Sequence, residues 1–170
     1  MCIRDSPKEI YDGAIPAGNS VAALCLLRLA RMTGRADLEE RAERMLREFS
    51  GAIEAQPTAH AQLLSALDFA LGPAAEIVIA GEPGAADTQA LLAEVARRFL
   101  PRAVTLLRPP GEAPGILAVA PMLTGMVPGG GASTAYVCRG YSCGAPARTP
   151  EELARRLDDI GLPVRGGSMT

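Results

Sequence analysis

Apolar residues recur with a helical period near the start of the chain. A first helix is predicted to begin at a cap formed by Asn19 or Ser20 and to end at Thr33, where Gly34 suits a left-handed stop. Its apolar residues surround it almost completely and leave only two arginines for water. This composition is typical of a helix that is buried among other helices.

Two further helices are predicted before residue 73. The second, from about Asp37 to Ile53, places its apolar residues on one stripe and its charges elsewhere, as an outer helix does. The third, from about Thr58 to Leu71, is mostly apolar and stops at Gly72. An order of inner, outer, inner is typical of a two-layer helical toroid. Because three helices cannot close such a ring, we expect further helices upstream.

After Pro73 the pattern changes to short runs of β-branched residues. A buried strand is predicted at Glu76–Ala80, followed by a helix that Asp87 or Thr88 caps and by a second strand at Ala103–Leu107. A strand, a helix and a strand in this order predict a βαβ unit with parallel strands.

The remainder of the chain is rich in glycine and proline. Residues 109–131 contain one short apolar piece, Ile116 to Leu123, and a third strand is predicted at Ala135–Cys138. The last helix is predicted to begin at Thr149, which can cap it, with Glu152 completing a capping box.

These patterns predict an α-rich protein of the α+β class. Residues 7–72 would form the last helices of a toroid, and residues 73–160 a small α/β subdomain. Residues 1–6 match no element and resemble an adaptor or assembly scar, so we exclude them from the fold. Residues 161–170 are expected to form a flexible tail.

Composition excludes several classes of partner. The chain has 17 Lys and Arg against 19 Asp and Glu, without the basic excess that binding to nucleic acid requires. No apolar run reaches the length of about 18 residues that a membrane span needs, so no membrane partner is expected. Four cysteines are too few for a disulfide scaffold. They favour a cytoplasmic location, although the compartment stays open if the native start lies upstream.

No cofactor is predicted from the sequence. The turn Gly81–Gly84 follows a strand and precedes a helix, where a dinucleotide fingerprint would lie, but it lacks the third glycine of that motif. Glu82 would also repel a pyrophosphate. We therefore expect no nucleotide there.

The polar loop before the first helix is a candidate binding site. Glu9 and Asp12 are weak candidates for a catalytic acid and base, and the free amides of the helix start suit an anion or a sugar hydroxyl. In the alternative interpretation, which we favour, Asn19 caps the helix and Asp12 accepts hydrogen bonds from loop amides.

His60 is the only histidine, so any chemistry that needs an imidazole must use it. It is a weak catalytic candidate without an evident partner, and a buried histidine with satisfied hydrogen bonds is the favoured interpretation. Ser65 and Asp68 share a helix face and could present polar groups to a cavity. No nucleophile elbow is present, so a serine triad is not supported.

Cys138 and Cys143 form a Cys-x4-Cys pair at the end of the third strand. A zinc site would need two more ligands, and the only candidates, Cys25 and His60, are distant in sequence, so no metal is predicted. Two half-buried structural thiols are favoured narrowly over a reversible disulfide or redox couple.

Four motifs, in matching order, carry a resemblance to a known family. They are Asp12–Ser20, Leu64–Phe69, Glu76–Gly81, and Ala135–Cys138 with Cys143–Pro146. Over about residues 8 to 157 the chain resembles the C-terminal end of the spermatogenesis-associated, thioredoxin-domain-containing proteins.

The resemblance implies a longer protein with an N-terminal thioredoxin-like domain and an (α/α)6 toroid similar to N-acylglucosamine epimerases and six-hairpin glycosidases. This chain would hold the last part, and the missing domain and toroid helices would be its partners. The resemblance also implies that Asp12, Asn19 and Ser20 line the toroid cavity, although Ala17 stands where the family usually has serine. Cys138 and Cys143 match the closing Cys-x4-Cys segment, for which the resemblance supplies no settled role.

Three functions are therefore expected as alternatives. The completed protein could bind or act on a carbohydrate-type ligand near Asp12 and Asn19. The chain could instead be a scaffold or redox accessory that uses Cys138 and Cys143. Alternatively, it could be an inactive fragment, because an unclosed arc exposes apolar helix faces to water.

Overall fold

The computed structural model describes residues 9–161, which form two compact units divided between Gly72 and Pro73. The first unit is helical, and the second contains a four-stranded mixed sheet. The α+β class expected from the sequence is therefore confirmed. The division falls where the apolar period changes from that of helices to that of strands.

The first helix, α1 (Gly18–Thr33), begins three residues earlier than a cap at Ser20 would place it. Ala17 is the N-cap residue, and no side chain caps the helix, so the predicted cap at Asn19 or Ser20 is wrong. The predicted stop is confirmed, because Gly34 adopts a left-handed φ of 72° and donates its N–H to the Ala30 carbonyl.

Helix α1 is buried on one side only within this chain. Ser20, Ala23, Leu27 and Ala30 are buried, whereas the side opposite contains exposed apolar residues. The expectation of a helix buried all round is therefore not met here, because α1 packs against two other helices and not against a complete ring.

The predicted second helix is divided into α2 (Ala36–Glu48) and α3 (Ser50–Ala55). The break lies at Phe49, whose φ of −97° and ψ of 2° depart from helical values. Next to the break, the Ser50 hydroxyl donates a hydrogen bond to the Arg47 carbonyl near the end of α2. The one-sided burial expected of α2 is confirmed.

The third predicted helix starts later than expected. A short 3-10 turn, Pro57–Ala59, is followed by α4 (Ala61–Leu71), with His60 at the N-cap position. Leu63 and Phe69 are buried on one side of α4, which packs against α1. Helices α2 and α4 thus share α1 as their common neighbour. The toroid itself remains a prediction.

The second unit is built on the βαβ unit that the sequence predicted. Strands β1 (Ala75–Ala80) and β2 (Ala103–Arg108) are parallel and flank α5 (Ala86–Ala96) in sequence. The third strand, β3 (Thr134–Arg139), is antiparallel to β1, and the two-residue β4 (Ser142–Cys143) is antiparallel to β3. The sheet order is β2-β1-β3-β4, which makes the fully buried β1 a central strand.

Alternate residues of β1 enter two different cores. Ile77 and Ile79 pack with Leu91 of α5 and with Leu153 and Leu157 of the last helix, α7 (Pro150–Gly161). The other face packs against the predicted apolar piece, which forms α6 (Pro114–Val119) and a 3-10 turn at Pro121–Gly125. The buried residues of this second core are Val78, Ala120 and Leu123. The sheet is therefore covered on both faces.

The N-cap of α5 differs from the prediction, whereas the N-cap of α7 agrees with it. Helix α5 begins after Ala85, and Asp87 lies in its first turn, so neither Asp87 nor Thr88 is the N-cap. In α7 the predicted cap is confirmed, since Thr149 Oγ1 accepts the Glu152 N–H at 3.2 Å. The Glu152 carboxylate, however, reaches the N–H of Arg148 and not that of Thr149.

Candidate functional site

The carboxylate of Asp12 joins two segments that are 50 residues apart. Its Oδ1 accepts the N–H of Ala17 at 2.9 Å, and its Oδ2 accepts those of Gln62 at 2.9 Å and Leu63 at 3.1 Å. Gln62 and Leu63 belong to the first turn of α4, where backbone N–H groups have no partner inside the helix. Asp12 is therefore a distant cap for α4 and also fixes the start of α1.

The surroundings of Asp12 favour its charged form. Burial has the largest single influence on the pKa of Asp12 and raises it, but the backbone hydrogen bonds and the Ser20 hydroxyl together outweigh burial. The pKa of this carboxyl thus lies below its ordinary value. An ionised carboxylate that already accepts three N–H groups is a structural anchor and a poor proton donor.

The other residues of the predicted carbohydrate site are also engaged in the loop. Asn19 Nδ2 donates to the main-chain oxygen of Glu9 at 2.8 Å, while Glu9 itself is exposed. Ser20 is fully buried, and its Oγ makes no hydrogen bond of good geometry within the described residues, although it lies close enough to lower the pKa of Asp12. The structure brings Asp12 and Ser20 together, with Ser20 buried and Asp12 half-buried.

His60 is buried and holds the same loop. Its Nδ1 lies 2.7 Å from the main-chain oxygen of Ile10, and because a carbonyl only accepts, Nδ1 carries the proton. The N–H of Asp12 donates to the Ala59 carbonyl at 2.8 Å beside it. The ring is 7% exposed, which agrees with the favoured interpretation of a satisfied, buried histidine.

Cys138 and Cys143 face each other across the β3–β4 hairpin and are joined by a disulfide. Their interpretation as two separate structural thiols thus does not describe this structure. The strands are connected by Gly140 and Tyr141, which both have positive φ, as a two-residue hairpin turn requires. Cys138 is completely buried, whereas Cys143 is exposed.

A buried carboxyl group, Glu76, lies next to this disulfide in the sheet. Glu76 on β1 pairs directly with Cys138 on β3, so the two side chains lie on the same face of the sheet. Its Oε2 accepts the N–H of Tyr141, in the hairpin turn, at 3.3 Å. Sequence analysis placed Glu76 in a strand but did not identify it as a site residue. The signal was a carboxylate at a position whose neighbours in the strand are all apolar.

The opposite face of the hairpin forms a cleft that sequence analysis also missed. A cavity of about 230 Å³ lies between the hairpin and α7. The hairpin contributes Val137, Arg139, Ser142 and Gly144, and α7 contributes Arg156 and Asp159. These residues are distant in sequence, and only the strand alternation of Val137 and Arg139 could have indicated a shared face.

Residues 9–161 contain neither a cluster of metal ligands nor a helix that could span a membrane. No group of three or more His, Cys, Asp or Glu side chains in this range is arranged to hold a metal ion. None of the helices in the described part combines the length and the apolar composition that crossing a bilayer requires. Cys25, on α1, is a free and exposed thiol.

Comparison with known proteins identifies relatives over most of the chain. No family model matches it, and no solved structure matches it. The chain is 33% identical over 150 residues to human spermatogenesis-associated protein 20, 32% to the rat protein and 31% to the mouse protein.

The aligned region covers 88% of this chain but 19% of each relative. The chain thus spans about a fifth of the length of the curated relatives that it matches. The resemblance that the four sequence motifs carried is confirmed by these alignments. Over the aligned residues, this chain belongs to the family of spermatogenesis-associated protein 20.

Proposed function

We propose that the Cys138–Cys143 hairpin is a site of thiol–disulfide exchange within a longer protein. One observation carries this proposal: the two joined cysteines differ in access, since Cys143 is exposed and Cys138 is completely buried. An incoming thiolate can therefore reach one sulfur and not the other. This asymmetry gives the exchange reaction a direction, which two equally buried cysteines would lack.

The exchange proceeds in two steps with a dithiol partner. A partner thiolate attacks Cys143 Sγ and forms a mixed disulfide, while the Cys138–Cys143 bond breaks and leaves its electron pair on Cys138 Sγ. The second partner thiolate then attacks the partner's own sulfur and releases Cys143 as a thiolate. The two protons lost by the partner's thiols end on Cys138 and Cys143. The partner becomes a disulfide, and two electrons pass to the hairpin.

The buried Glu76 supports the site from inside the sheet. Its hydrogen bond to the Tyr141 N–H ties the hairpin turn to the central strand β1. Cys138 remains held by the pairing of β3 with β1 when the bond to Cys143 opens. The reduced cysteines would thus stay close together, ready for the reverse reaction.

Single-cysteine variants test this proposal. With Cys2 and Cys25 replaced by serine throughout, Cys138→Ser leaves only Cys143, and Cys143→Ser leaves only Cys138. Reaction of the folded variants with a coloured aromatic disulfide is expected to be at least about tenfold faster for Cys143 than for Cys138. The two variants unfolded in denaturant are the control and should react alike. Equal rates in the folded variants would contradict the proposal.

A carbohydrate-type ligand near Asp12 and Asn19 is a second proposal, and its support is the family resemblance together with the rigid anchoring of the loop. Asp12 accepts three backbone N–H groups and Asn19 donates to Glu9, so these groups would shape the wall of a cavity while other parts of the ring supply direct contacts. Calorimetry of the longer protein against a panel of sugars tests it, and absence of heat with every sugar would count against it.

The remaining toroid helices and the thioredoxin-like domain are proposed as partners within the same protein. Val21, Cys25 and Leu29 follow one another at intervals of four residues and lie exposed on one side of α1. An apolar stripe on a helix is typical of a surface that another helix covers. The 19% share of the relatives that this chain spans leaves ample length for such helices.

A further inference from the structure

The cleft between the β3–β4 hairpin and α7 combines a cavity with an unused hydrogen-bond donor. The Nε of Arg156 is buried and has no acceptor within residues 9–161. Leaving a buried donor without a partner is costly, and the cost is greater for a charged group. The guanidinium of Arg156, which lines the cleft, therefore has hydrogen-bonding capacity that the described residues leave unused.

Arg156 lies close to Gly144 of the hairpin. A Cβ added to Gly144 would lie 3.8 Å from Arg156 Nη1, an ordinary contact distance, so the guanidinium is close to the hairpin. Arg139 lines the same cleft and donates to the main-chain oxygen of Asp159. Arg139 thus joins the hairpin to α7, the two walls of the cleft, and the guanidinium of Arg156 lines the space between them.

The charges of the cleft define the class of ligand. Two arginines against one carboxylate, Asp159, leave an excess positive charge, and a guanidinium matches the planar or tetrahedral oxygens of a carboxylate or phosphate. Asp159 would repel a bare anion but would accept a hydrogen bond from a hydroxyl group. A second cavity of about 280 Å³ shares Arg156 and Asp159 and adds Arg155 and Glu152, so its positive and negative side chains are equal in number.

The disulfide holds one wall of the cleft in place. Because strand residues alternate in direction, Cys138 and Cys143 leave one face of the hairpin while Val137, Arg139, Ser142 and Gly144 line the cleft on the other. The disulfide crosses from β3 to β4 between the Val137–Gly144 hydrogen bond and the Arg139–Ser142 pair. Strand β4 has only two residues, and so short a pairing is marginal without a cross-link.

We propose that this cleft binds a small hydroxylated oxyanion, a carboxylate or phosphate with neighbouring hydroxyl groups, and that the state of the Cys138–Cys143 disulfide controls its affinity. Arg156 receives the oxyanion, and Asp159 accepts a hydroxyl. Opening the disulfide loosens the hairpin wall and weakens binding. By linkage, the bound anion makes the disulfide harder to reduce by the same factor. Anion binding in the cleft depends on the presence of the disulfide. It does not depend on exchange of the disulfide with a protein partner.

Nuclear magnetic resonance of the 170-residue chain tests the inference with three related probes. Glycerate carries a carboxylate, glycerol phosphate carries a phosphate, and glycerol carries the hydroxyls alone. In the oxidised chain, at least one of the two anions is expected to shift the Arg156 Nε–H resonance in a saturable way, and the stronger of the two identifies the preferred oxyanion. Glycerol should leave the resonance unchanged. No saturable shift with either anion would overturn the site.

Variants and redox state then test the two parts separately. Binding to the variants is followed through the backbone amide resonance of Gly144, which lines the cleft and is present in all of them. Arg156→Gln and, as a second variant, Arg139→Gln should each abolish or weaken binding at least about fivefold, whereas Arg44→Gln on the exposed side of α2 should not change it. Reduction, or Cys138→Ser with Cys143→Ser, should weaken binding about fivefold or more. Equal affinity in the oxidised and reduced chains would overturn the control by the disulfide. Failure of the exchange reaction, with binding intact, would instead contradict only the proposed function.

Discussion

Asp12 illustrates how a single carboxylate can organise two distant segments. Its hydrogen bonds to Ala17, Gln62 and Leu63 satisfy N–H groups at two helix starts, where the chain itself supplies no acceptor. The sequence favoured Asp12 as a partner of loop amides, and its bond to Ala17 is of that kind. The bonds to α4 could not be predicted, because they depend on a contact across 50 residues that no local pattern encodes.

Replacing Asp12 by alanine is expected to lower the free energy of unfolding by about 1–2 kcal/mol, because two helix starts lose their acceptor. Chemical denaturation of the 170-residue chain measures this loss. Asp12→Asn is the matched control, since it keeps one oxygen acceptor, and it should lose less. An unchanged midpoint for Asp12→Ala would contradict the role of Asp12 as an anchor.

The same residue makes stability depend on pH in a defined direction. Since the pKa of Asp12 is lower in the folded chain than in the unfolded chain, its contribution is complete above its ordinary pKa of about 3.9. The contribution is lost as the pH falls through the lower folded value. Unfolding measured from pH 6 down to pH 3 should therefore bring wild type and Asp12→Asn closer together in stability. A gap that stays constant over this range would count against a lowered pKa.

Gly81 is a second residue that determines local packing, because it has no side chain. A Cβ at this position would lie 2.3 Å from Ser133 Oγ and 2.5 Å from Thr88 Oγ1, which are themselves joined by a buried hydrogen bond of 2.7 Å. The sequence analysis rejected a nucleotide at this turn. In the structure the glycine gives room to the Thr88–Ser133 pair.

Gly81→Ala is expected to reduce stability by about 1–3 kcal/mol, because the added methyl group must displace the buried Thr88–Ser133 pair. Thermal unfolding with Gly115→Ala as control checks this, since a Cβ at Gly115 meets nothing within 4 Å. The control should be as stable as wild type or slightly more stable. Equal effects of the two substitutions would show that the space beside Gly81 is not limiting.

At the scale of elements, the arginine at the end of β2 holds the irregular segment that covers one face of the sheet. Arg108 is buried and donates to the main-chain oxygens of Leu123, Pro109 and Gly111. Residues 109–131 appeared in the sequence as a glycine- and proline-rich stretch with one apolar piece. Arg108 adds three side-chain hydrogen bonds to the main-chain oxygens of this stretch.

Arg108→Met should preserve much of the apolar volume and remove all three hydrogen bonds, at an expected cost of about 2–3 kcal/mol. Arg97→Met is the control, because the Arg97 side chain is 76% exposed and its partner Glu94 keeps a second ion pair with Arg98. That variant should change stability by less than about 1 kcal/mol. Chemical denaturation measures the free energy of unfolding of both variants. Comparable losses of stability would contradict the anchoring role of Arg108.

Elements were predicted well where the local pattern determined them. The β-branched run of β1, the parallel βαβ unit and the Thr149 cap all follow from short-range preferences. The division of the second helix at Phe49 and the disulfide between Cys138 and Cys143 were not settled by those preferences. Both depend on geometry that a linear pattern leaves open, namely a local backbone kink and the register of two strands.

At the scale of the whole molecule, the two sides of α1 should respond differently to the same substitution. Leu27 is buried at 3% exposure, whereas Leu29 is 47% exposed on the apolar stripe. In the 170-residue chain, Leu27→Ala is expected to cost about 2 kcal/mol or more. Leu29→Ala should cost less than about 1 kcal/mol.

The same pair of variants in the longer protein tests the proposed toroid. If further helices cover the stripe, Leu29→Ala should become nearly as costly as Leu27→Ala, because the Leu29 side chain would then be buried. A loss for Leu29→Ala that remains small in the longer protein would indicate that the stripe stays open. Unfolding measurements on both lengths of chain provide the comparison.

The proposed exchange function depends most directly on whether the disulfide between the buried Cys138 and the exposed Cys143 can be reduced in the folded chain. Equilibration of the folded 170-residue chain with graded ratios of reduced and oxidised dithiothreitol, followed by alkylation and mass spectrometry, measures it. We predict a single reversible two-electron step in which Cys138 and Cys143 gain their alkyl groups together while the circular dichroism of the fold is retained. Reduction that occurs only when the fold is lost would contradict the account.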